Sequence, residues 1–464
     1  MKRDTRWLAL YVLCFGELMI VLDTTIVNVA LPSIRQDLAF TETSLVWVVN
    51  AYMLTYGGFL LLGGRLGDLY GMRRLFLFGI ALFTLASAAC GLANSQGVLI
   101  AARAVQGLGG AVVSAVALSL IMNLFTEDGE RAKAMGIYGF VCAAGGSIGV
   151  LLGGVLTDAL DWHWIFLVNL PIGAAIYACT LTLLRGDRGQ AQSGPLDVGG
   201  AISITLSLMC AIYAIVNGVP WLLAAAALLL AVFLVIESRV RAPLMPLGLF
   251  RHRNLAISNV VGALWAAAMF AWFFMSALYM QLVLGYTPMQ VGLAFLPANI
   301  IMAVLSLGWS AKLVMRYGIR APLAWGLALQ AAGLGLFAVS PADGSFLVHV
   351  LPGMVLLGLG SGVALNPVLL AAMSDVAPTE SGLASGIVNT SFMMAGALGL
   401  AVLASIAAAR SGYLEAAGAS LPAALNGGYQ IAFAAGAVFA GLAALLSCLL
   451  RIRAVGAQAV EVAT

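Results

Sequence analysis

A chain of 464 residues is long enough for two or three soluble domains, but 62% of its residues are hydrophobic and only 9% are charged. That leaves too little polar surface to cover a water-exposed globule, so most of the chain must be solvated by lipid. The net charge of +3 is small and the basic residues are scattered, which argues against nucleic acid as a partner.

The chain opens on an apolar run from Trp7 to Leu31 that holds Glu17 and Asp23 and has no obvious small-residue cleavage site. It reads as a first spanning helix, not as a removed signal peptide. Grouping apolar runs between charged or Gly/Pro-rich breaks gives fourteen spans, at about 8 to 31, 45 to 64, 75 to 93, 98 to 122, 135 to 158, 164 to 184, 197 to 217, 220 to 236, 255 to 283, 289 to 311, 321 to 339, 346 to 373, 387 to 409 and 428 to 450. Each is close to the ~20 residues a helix needs to cross a ~30 Å hydrocarbon core. An even number of crossings puts both termini on one side. With that side cytoplasmic, every Lys and Arg falls in a cytoplasmic segment or at its membrane edge, except Arg35 and Arg410 outside and Arg103 within a span. This is the asymmetry of the positive-inside rule, and it predicts a multi-pass protein of the cytoplasmic (inner) membrane with both termini cytoplasmic.

Between the spans, Arg185 to Pro195 reads as a polar linker. Glu237 to Asn254, with Leu244, Leu247, Leu249 and Phe250 among prolines and arginines, reads as a segment lying in the membrane interface. No water-exposed stretch is long enough for a catalytic domain. All six cysteines (Cys14, Cys90, Cys142, Cys179, Cys210 and Cys448) sit inside apolar stretches without disulfide-framework or metal-ligand spacing, and are expected to be small buried hydrophobes.

The chain also repeats itself. Gly64 to Arg73 aligns without a gap on Ala311 to Arg320, Gly107-Leu108-Gly109 on Gly358-Leu359-Gly360, and Ala134-Met135-Gly136-Ile137 on Ala384-Ser385-Gly386-Ile387, at similar offsets. Two six-helix units therefore flank an extra helix pair at 197 to 236. The expected fold is all-α and integral to the membrane, with fourteen transmembrane helices. An N-terminal six-helix bundle occupies 1–185, a linker with two additional helices and the interfacial connector 186–254, and a C-terminal six-helix bundle with a short cytoplasmic tail 255–464. An insert that crosses twice keeps both bundles in one orientation, as parallel repeats require.

Four motifs carry chemistry. In the loop after the second span, Gly64 and Gly67 allow close helix approach and Gly71 supports a tight turn; Asp68 can accept from a neighbouring helix N-terminus, and Arg73 and Arg74 hold the cytoplasmic face. In Leu22-Asp23-Thr24-Thr25-Ile26-Val27-Asn28-Val29-Ala30-Leu31-Pro32, Asp23 lies about eight residues, or roughly 12 Å, from the outer end of its helix. An acid at that depth is expensive unless it is paired or titrates. Arg103, in Arg103-Ala104-Val105-Gln106-Gly107, falls at a similar depth. Facing inward, it would stabilise ionised Asp23 and, on moving away, change the acid's proton affinity between conformations; the alternative is a permanent structural ion pair. Finally, Gly136, Gly145, Gly149, Gly153 and Gly154 permit close packing and bending of one helix, or form only a small-residue seam.

These motifs resemble those of the major facilitator superfamily, specifically its fourteen-helix drug:proton antiporter branch, over nearly the whole chain. The resemblance implies that the Gly64 to Arg74 loop is a gating latch, that Asp23 and Arg103 take part in proton coupling, and that the glycines form an antiporter motif. Val150 replaces the usual proline after its third glycine. Asp161-Trp162-His163-Trp164-Ile165-Phe166, followed by Asn169 and Pro171, resembles the branch's entry to its sixth helix, with His163 in place of arginine and expected to be interfacial, not a ligand. Gly382 to Gly386 with Asn389-Thr390-Ser391 resembles the eleventh helix of the twelve-helix core, and Phe392, Met393 and Met394 make its continuation less polar.

Glu17 is not explained by motif. It lies six residues before Asp23, about 9 Å deeper and about 120° around an ideal helix. It is read as facing the central cavity, to bind a cationic substrate or exchange protons; its alternative is an acid satisfied by polar neighbours. Trp47, Asn50, Tyr52, Gln106, Asn299, Asn366 and Asn389 are the further cavity candidates, and a mostly apolar cavity with one or two acids suits amphipathic or cationic compounds. No phosphate-cradling loop occurs, and the only lysines are Lys2, Lys133 and Lys312, so no nucleotide cofactor is expected and a proton gradient is the energy source. No metal site is expected, since His163, His252 and His349 are far apart. The partners are lipid, protons and a small molecule, carried by a functional monomer that is not an enzyme. Export of drugs or antibiotics in exchange for protons leads; a dedicated exporter of one metabolite or self-made antibiotic is the alternative, and a channel or non-transporting sensor the reading from another class.

Overall fold

The computed structural model describes residues 3–125, 127–184, 196–240, 243–374, 376 and 381–450. Among these there is no strand. The helices are α1 (Arg3–Asp37), α2 (Glu42–Tyr70), α3 (Met72–Gly91), α4 (Gln96–Leu124), α5 (Asp128–Ala159), the short α6 (Trp164–Leu167), α7 (Asn169–Leu183), α8 (Val198–Asn217) and α9 (Trp221–Arg239). After a 3-10 turn at Leu247–Arg251 come α10 (Arg253–Leu278), α11 (Pro288–Val304), α12 (Ser310–Tyr317), α13 (Arg320–Ala338), α14 (Leu351–Met373), α15 (Ser381–Ala416) and α16 (Leu421–Ser447). Wide π turns extend α10 over Tyr279–Val283, join α11 to α12 over Leu305–Trp309 and lead into α14 over Phe346–Val350.

Among the described residues thirteen helices are long and apolar enough to cross a membrane. The chain is a multi-pass membrane protein. Its helices satisfy their backbone groups internally, as lipid demands. Their ends carry ordinary stop signals: Thr41 and Ser44 make a capping box on α2, Thr287 and Gln290 another on α11, and Gly218 closes α8 in the left-handed region. The helix α1 is longer than expected. It runs through Pro32 to Asp37, so Asp23 stands fourteen residues from its end instead of eight. At Pro32 only one backbone donor is missing, and polar neighbours or solvent near the helix end can satisfy the carbonyl it frees.

The two halves of the chain pair their helices alike. In the first, α1 packs on α5 and α7, α4 on α2 and α3, and α3 on α7; in the second, α10 packs on α15 and α16, α14 on α11 and α13, and α13 on α16. The repeated glycines lie at equivalent contacts. A Cβ on Gly107 would strike the Tyr52 carbonyl of α2, and one on Gly358 the Ala298 carbonyl of α11; Gly109 abuts Phe83 of α3, and Gly360 abuts Gly326 and Gln330 of α13. Gly71 and Gly318, matched in the sequence repeat, turn the chain with φ of 92° and 74°, a region open to glycine and costly for other residues.

The halves meet along two seams, α2 against α15 and α5 against α11, and the pair α8–α9 leans through α8 on α2 and α15. We call the side of the molecule that carries the Gly71 and Gly318 turns the loop face. Near the other side, a Cβ on Gly154 would lie 2.7 Å from the Pro288 carbonyl and one on Gly292 would lie 3.0 Å from the Val150 carbonyl. There Gln281 also donates to the Val29 carbonyl at 2.8 Å.

In the connector after α9, Leu244 and Leu249 are buried against helices of both halves, while Leu247 is exposed. One expectation is corrected. Although Cys14 and Cys90 are buried, Cys179 and Cys448 are exposed; a thiol is apolar enough to face lipid as readily as protein.

Candidate functional site

Inside the first half, Asp23 on α1 is fully buried. Its Oδ2 is paired with Nη1 of Arg103 on α4. Its Oδ1 accepts from Gln106 Nε2 at 2.7 Å and from Asn169 Nδ2, at the start of α7, at 3.1 Å. Arg103 is satisfied in turn: Nε donates to the Val48 carbonyl of α2 at 2.9 Å, Nη1 also donates to Gln106 Oε1 at 2.7 Å, and its guanidinium lies over the Tyr52 ring, 4.4 Å from the centroid. Ser87 on α3 accepts from Gln106 and Asn169 and donates to the Phe166 carbonyl at 2.9 Å. The network around the pair thus joins six helices, and nearly every lone pair of the carboxylate has a donor. In a low-dielectric interior a pair is tolerated only with this degree of satisfaction.

Ser87 and Asn169 were not legible as partners of Asp23. The Asn169–Pro171 pattern marked a helix entry, but polar residues within spans were the only signal that α3 and α7 contribute to the site.

Glu17 sits on the same helix in a different surrounding. It is 5% exposed, and its Oε2 has no hydrogen-bond partner. It faces the hydroxyls of Ser114 on α4 and Tyr138 on α5, with Tyr56 of α2 also near. The Ser114 and Tyr52 hydroxyls likewise have no partner. Among the described residues no ion pair reaches Glu17. The two acids of α1 are therefore opposites: Asp23 is saturated by donors and paired, and Glu17 is enclosed by aromatic rings and hydroxyls without a counter-charge.

The remaining candidates disperse. Asn50 donates to the Ala397 carbonyl of α15 at 2.9 Å, across the α2–α15 seam, and Tyr52 stacks on Tyr56 with centroids 5.8 Å apart. Trp47 faces Tyr213 of α8, on the outside of that seam. In the second half Asn299 is buried with its amide nitrogen unpartnered, Asn366 donates to the Ser306 carbonyl in the π turn at 3.1 Å, and Asn389 is exposed. Phe392 packs on Trp265 and Phe270, and Met393 on Gly57. His163 stacks on Trp162 and its Nδ1 lies 2.9 Å from Asp161 Oδ1 at the side opposite the loop face.

The segment expected to form a loop after the second span is helical to Tyr70, so Gly64 and Gly67 lie on α2 and only Gly71 turns the chain; Gly67 lies against Val116 of α4, whereas a Cβ on Gly64 would meet nothing within 4 Å. Arg73 donates to the Leu181 carbonyl at the end of α7 at 2.8 Å, and Arg74 is exposed. The side chain of Asp68 lies outside the described residues. On α5, Gly145 faces Leu18 and Val21, Gly149 faces Leu22 and Thr25, and Gly153 faces Ile26, while Gly154 points the other way onto α11. Gly136 is exposed and meets nothing. Four of the five glycines therefore form two packing seams on an unbroken helix, consistent with Val150 in place of a proline.

The chain is 39% identical to the puromycin resistance protein pur8 of Streptomyces alboniger, over 92% of this chain and 88% of that protein. It is 37% identical to the cephamycin export protein CmcT of Amycolatopsis lactamdurans, over 94% and 91%. Among solved structures it shares the fold of a bacterial homologue of the human lysosomal transporter Spinster, crystallised inward-facing and unoccupied, at a TM-score of 0.68, 17% identity, and coverage of 97% of this chain and 98% of that one. The family model of the Major Facilitator Superfamily matches residues 13–400, so the chain is a member of that superfamily.

Proposed function

We propose that this protein exports small amphipathic or cationic compounds, antibiotics among them, in exchange for protons. The supporting observation is Glu17: a carboxylate buried within a spanning bundle, ringed by aromatic and hydroxyl side chains, with an oxygen that has no donor and no cation beside it. Such a group is neutralised either by a proton or by a cation bound against it, because an isolated charge in that setting is costly. The two occupants exclude each other, and that exclusion is what an antiporter needs. Asp23 and Arg103 then serve the conformational step, holding α1 to α4 in this state and changing partners when the helices shift.

The same reading takes the chain as fourteen crossings, counting α11, the π turn and α12 as one span, with parallel six-helix bundles at 1–185 and 255–464 around an inserted pair within 186–254. The loop face is then cytoplasmic, both termini lie in the cytoplasm, and the membrane is the inner one. The names of the relatives, puromycin resistance and cephamycin export, support the substrate class.

Inside-out vesicles containing the reconstituted protein test this directly. An imposed pH gradient, acid inside, is expected to drive accumulation across a compound panel that includes puromycin, and added substrate to dissipate the gradient. Glu17→Gln is expected to abolish gradient-driven uptake of cations. Uptake indifferent to the gradient, or unchanged in Glu17→Gln, overturns the proposal.

A further inference from the structure

Two acids outside the transport site meet at the loop-face base of the inserted helix pair. Asp197 caps α8, its Oδ1 accepting from the Gly200 N–H at 2.7 Å. Glu237, near the end of α9, accepts through Oε2 from the Met245 N–H at 3.0 Å. They are 3% and 4% exposed, and the remaining oxygen of each, Asp197 Oδ2 and Glu237 Oε1, has no hydrogen-bond partner. The two carboxyl groups face one another within interaction distance. The free oxygens of two ionised carboxylates repel one another in a buried site, and one proton held between them supplies both with a bond.

The segment Glu237 grips is a strap. Leu244 packs with Leu62 of α2 and Ala201 of α8. Five residues on, Leu249 packs with Leu255, Ala372, Ala384, Ile387 and Val388, at the loop-face ends of α10, α14 and α15. Arg65, in the last turns of α2, donates from Nη2 to the Pro243 carbonyl at 2.8 Å. One short stretch of chain thus lies across both halves of the molecule. It is fastened to the loop-face end of α2 at one end and to the acid pair beside it.

We infer that Asp197 and Glu237 form a proton-binding clip that fastens the strap at 243–251 across the loop-face ends of α2 and α15. The charged groups nearby on the packed elements, among the described residues, are Arg65 of α2, whose Nη2 donates to the strap carbonyl, and Arg239 of α9, which is exposed. The sign follows from the shared proton. At low loop-face pH the proton is held and the strap is fastened; as pH rises it leaves, the carboxylates repel, and Met245 is released. Since α2 and α15 form one of the two seams between the halves, the clip governs how readily that end parts. It requires neither Glu17 nor Asp23 and stands whether or not those groups carry transported protons.

Hydrogen exchange of the amides at 244–250 in the full-length protein in lipid nanodiscs, corrected for the intrinsic effect of pH, tests the clip. In the wild type, protection is expected to fall about tenfold for each pH unit above the clip's titration point until the strap is free. Glu237→Gln keeps an acceptor for Met245 and gains an N–H for Asp197, so its strap should stay protected at every pH. Glu237→Ala should be unprotected throughout, and Asp197→Asn should be as flat as Glu237→Gln, which supplies a second variant should the first fail to fold. Protection that is independent of pH in the wild type, or a titration that survives in both Glu237→Gln and Asp197→Asn, overturns the inference.

Discussion

Asp23 and Arg103 show how far a single buried pair depends on its surroundings. Removing one partner leaves the other charged and enclosed, which costs about 3–5 kcal/mol. Asp23→Asn is therefore expected to lower the thermal unfolding temperature of the detergent-solubilised protein sharply, and to abolish transport as well. Adding Arg103→Met to Asp23→Asn removes the stranded guanidinium and should recover most of the lost stability while transport stays absent. If the double variant transports, the pair is structural and coupling lies elsewhere. The pair itself was legible in the sequence, because both residues are isolated charges within spans and sit in recognisable motifs; its depth was not, since α1 runs on to Asp37. Its support was not. Ser87, Asn169 and the Val48 carbonyl come from segments far apart in the chain, and only packing brings them to one carboxylate.

Among elements, α5 is the clearest case of composition dictating contact. Gly145, Gly149 and Gly153 recur every four residues, so they line one face and let α1 approach until backbone touches backbone. A Cβ at position 153 would lie 2.7 Å from the Ile26 carbonyl. Neither backbone can yield cheaply, and Gly153→Ala is expected to destabilise by about 1–3 kcal/mol. Gly136→Ala, where a methyl group would enter open space, should change stability by less than about 0.5 kcal/mol. Thermal unfolding of the two variants side by side checks the assignment; equal losses would contradict it. Gly71 is subject to a different constraint, its φ of 92°, so Gly71→Ala should cost of order 1–3 kcal/mol through backbone strain with no steric clash needed. The turn at Gly71 and its counterpart at Gly318 were readable from the repeat. The course of α1 past Pro32 and the folding of the 243–251 segment onto both halves were not. Proline usually marks a boundary in a sequence, and a short apolar segment among prolines and arginines gives no indication of the protein surface it will find.

At the scale of the whole molecule, the two halves touch along α2–α15 and α5–α11, and the helix pairings within each half are repeated in the other. A rocking motion that exposes first one face and then the other must open each seam at one end while closing it at the other. The α5–α11 seam is closed away from the loop face by two glycines, Gly154 against Pro288 and Gly292 against Val150. Because both contacts are with backbone oxygen, side-chain adjustment cannot make room for a larger residue there. Gly292→Val should therefore wedge this end apart and shift the population toward conformations open on the side opposite the loop face. Spin labels placed near Leu160, just after α5, and Thr287, before α11, report that distance by double electron–electron resonance. The wild type is expected to favour the short distance and Gly292→Val the long one, with a matching gain in solvent access to a cysteine introduced on α1 between Asp23 and Asp37. A variant that keeps the wild-type distance distribution would mean that the seam does not set the resting state. A protein unfolded outright by the valine would lose both distances, and Gly292→Ala, a smaller wedge at the same carbonyl, then reads the direction of the shift.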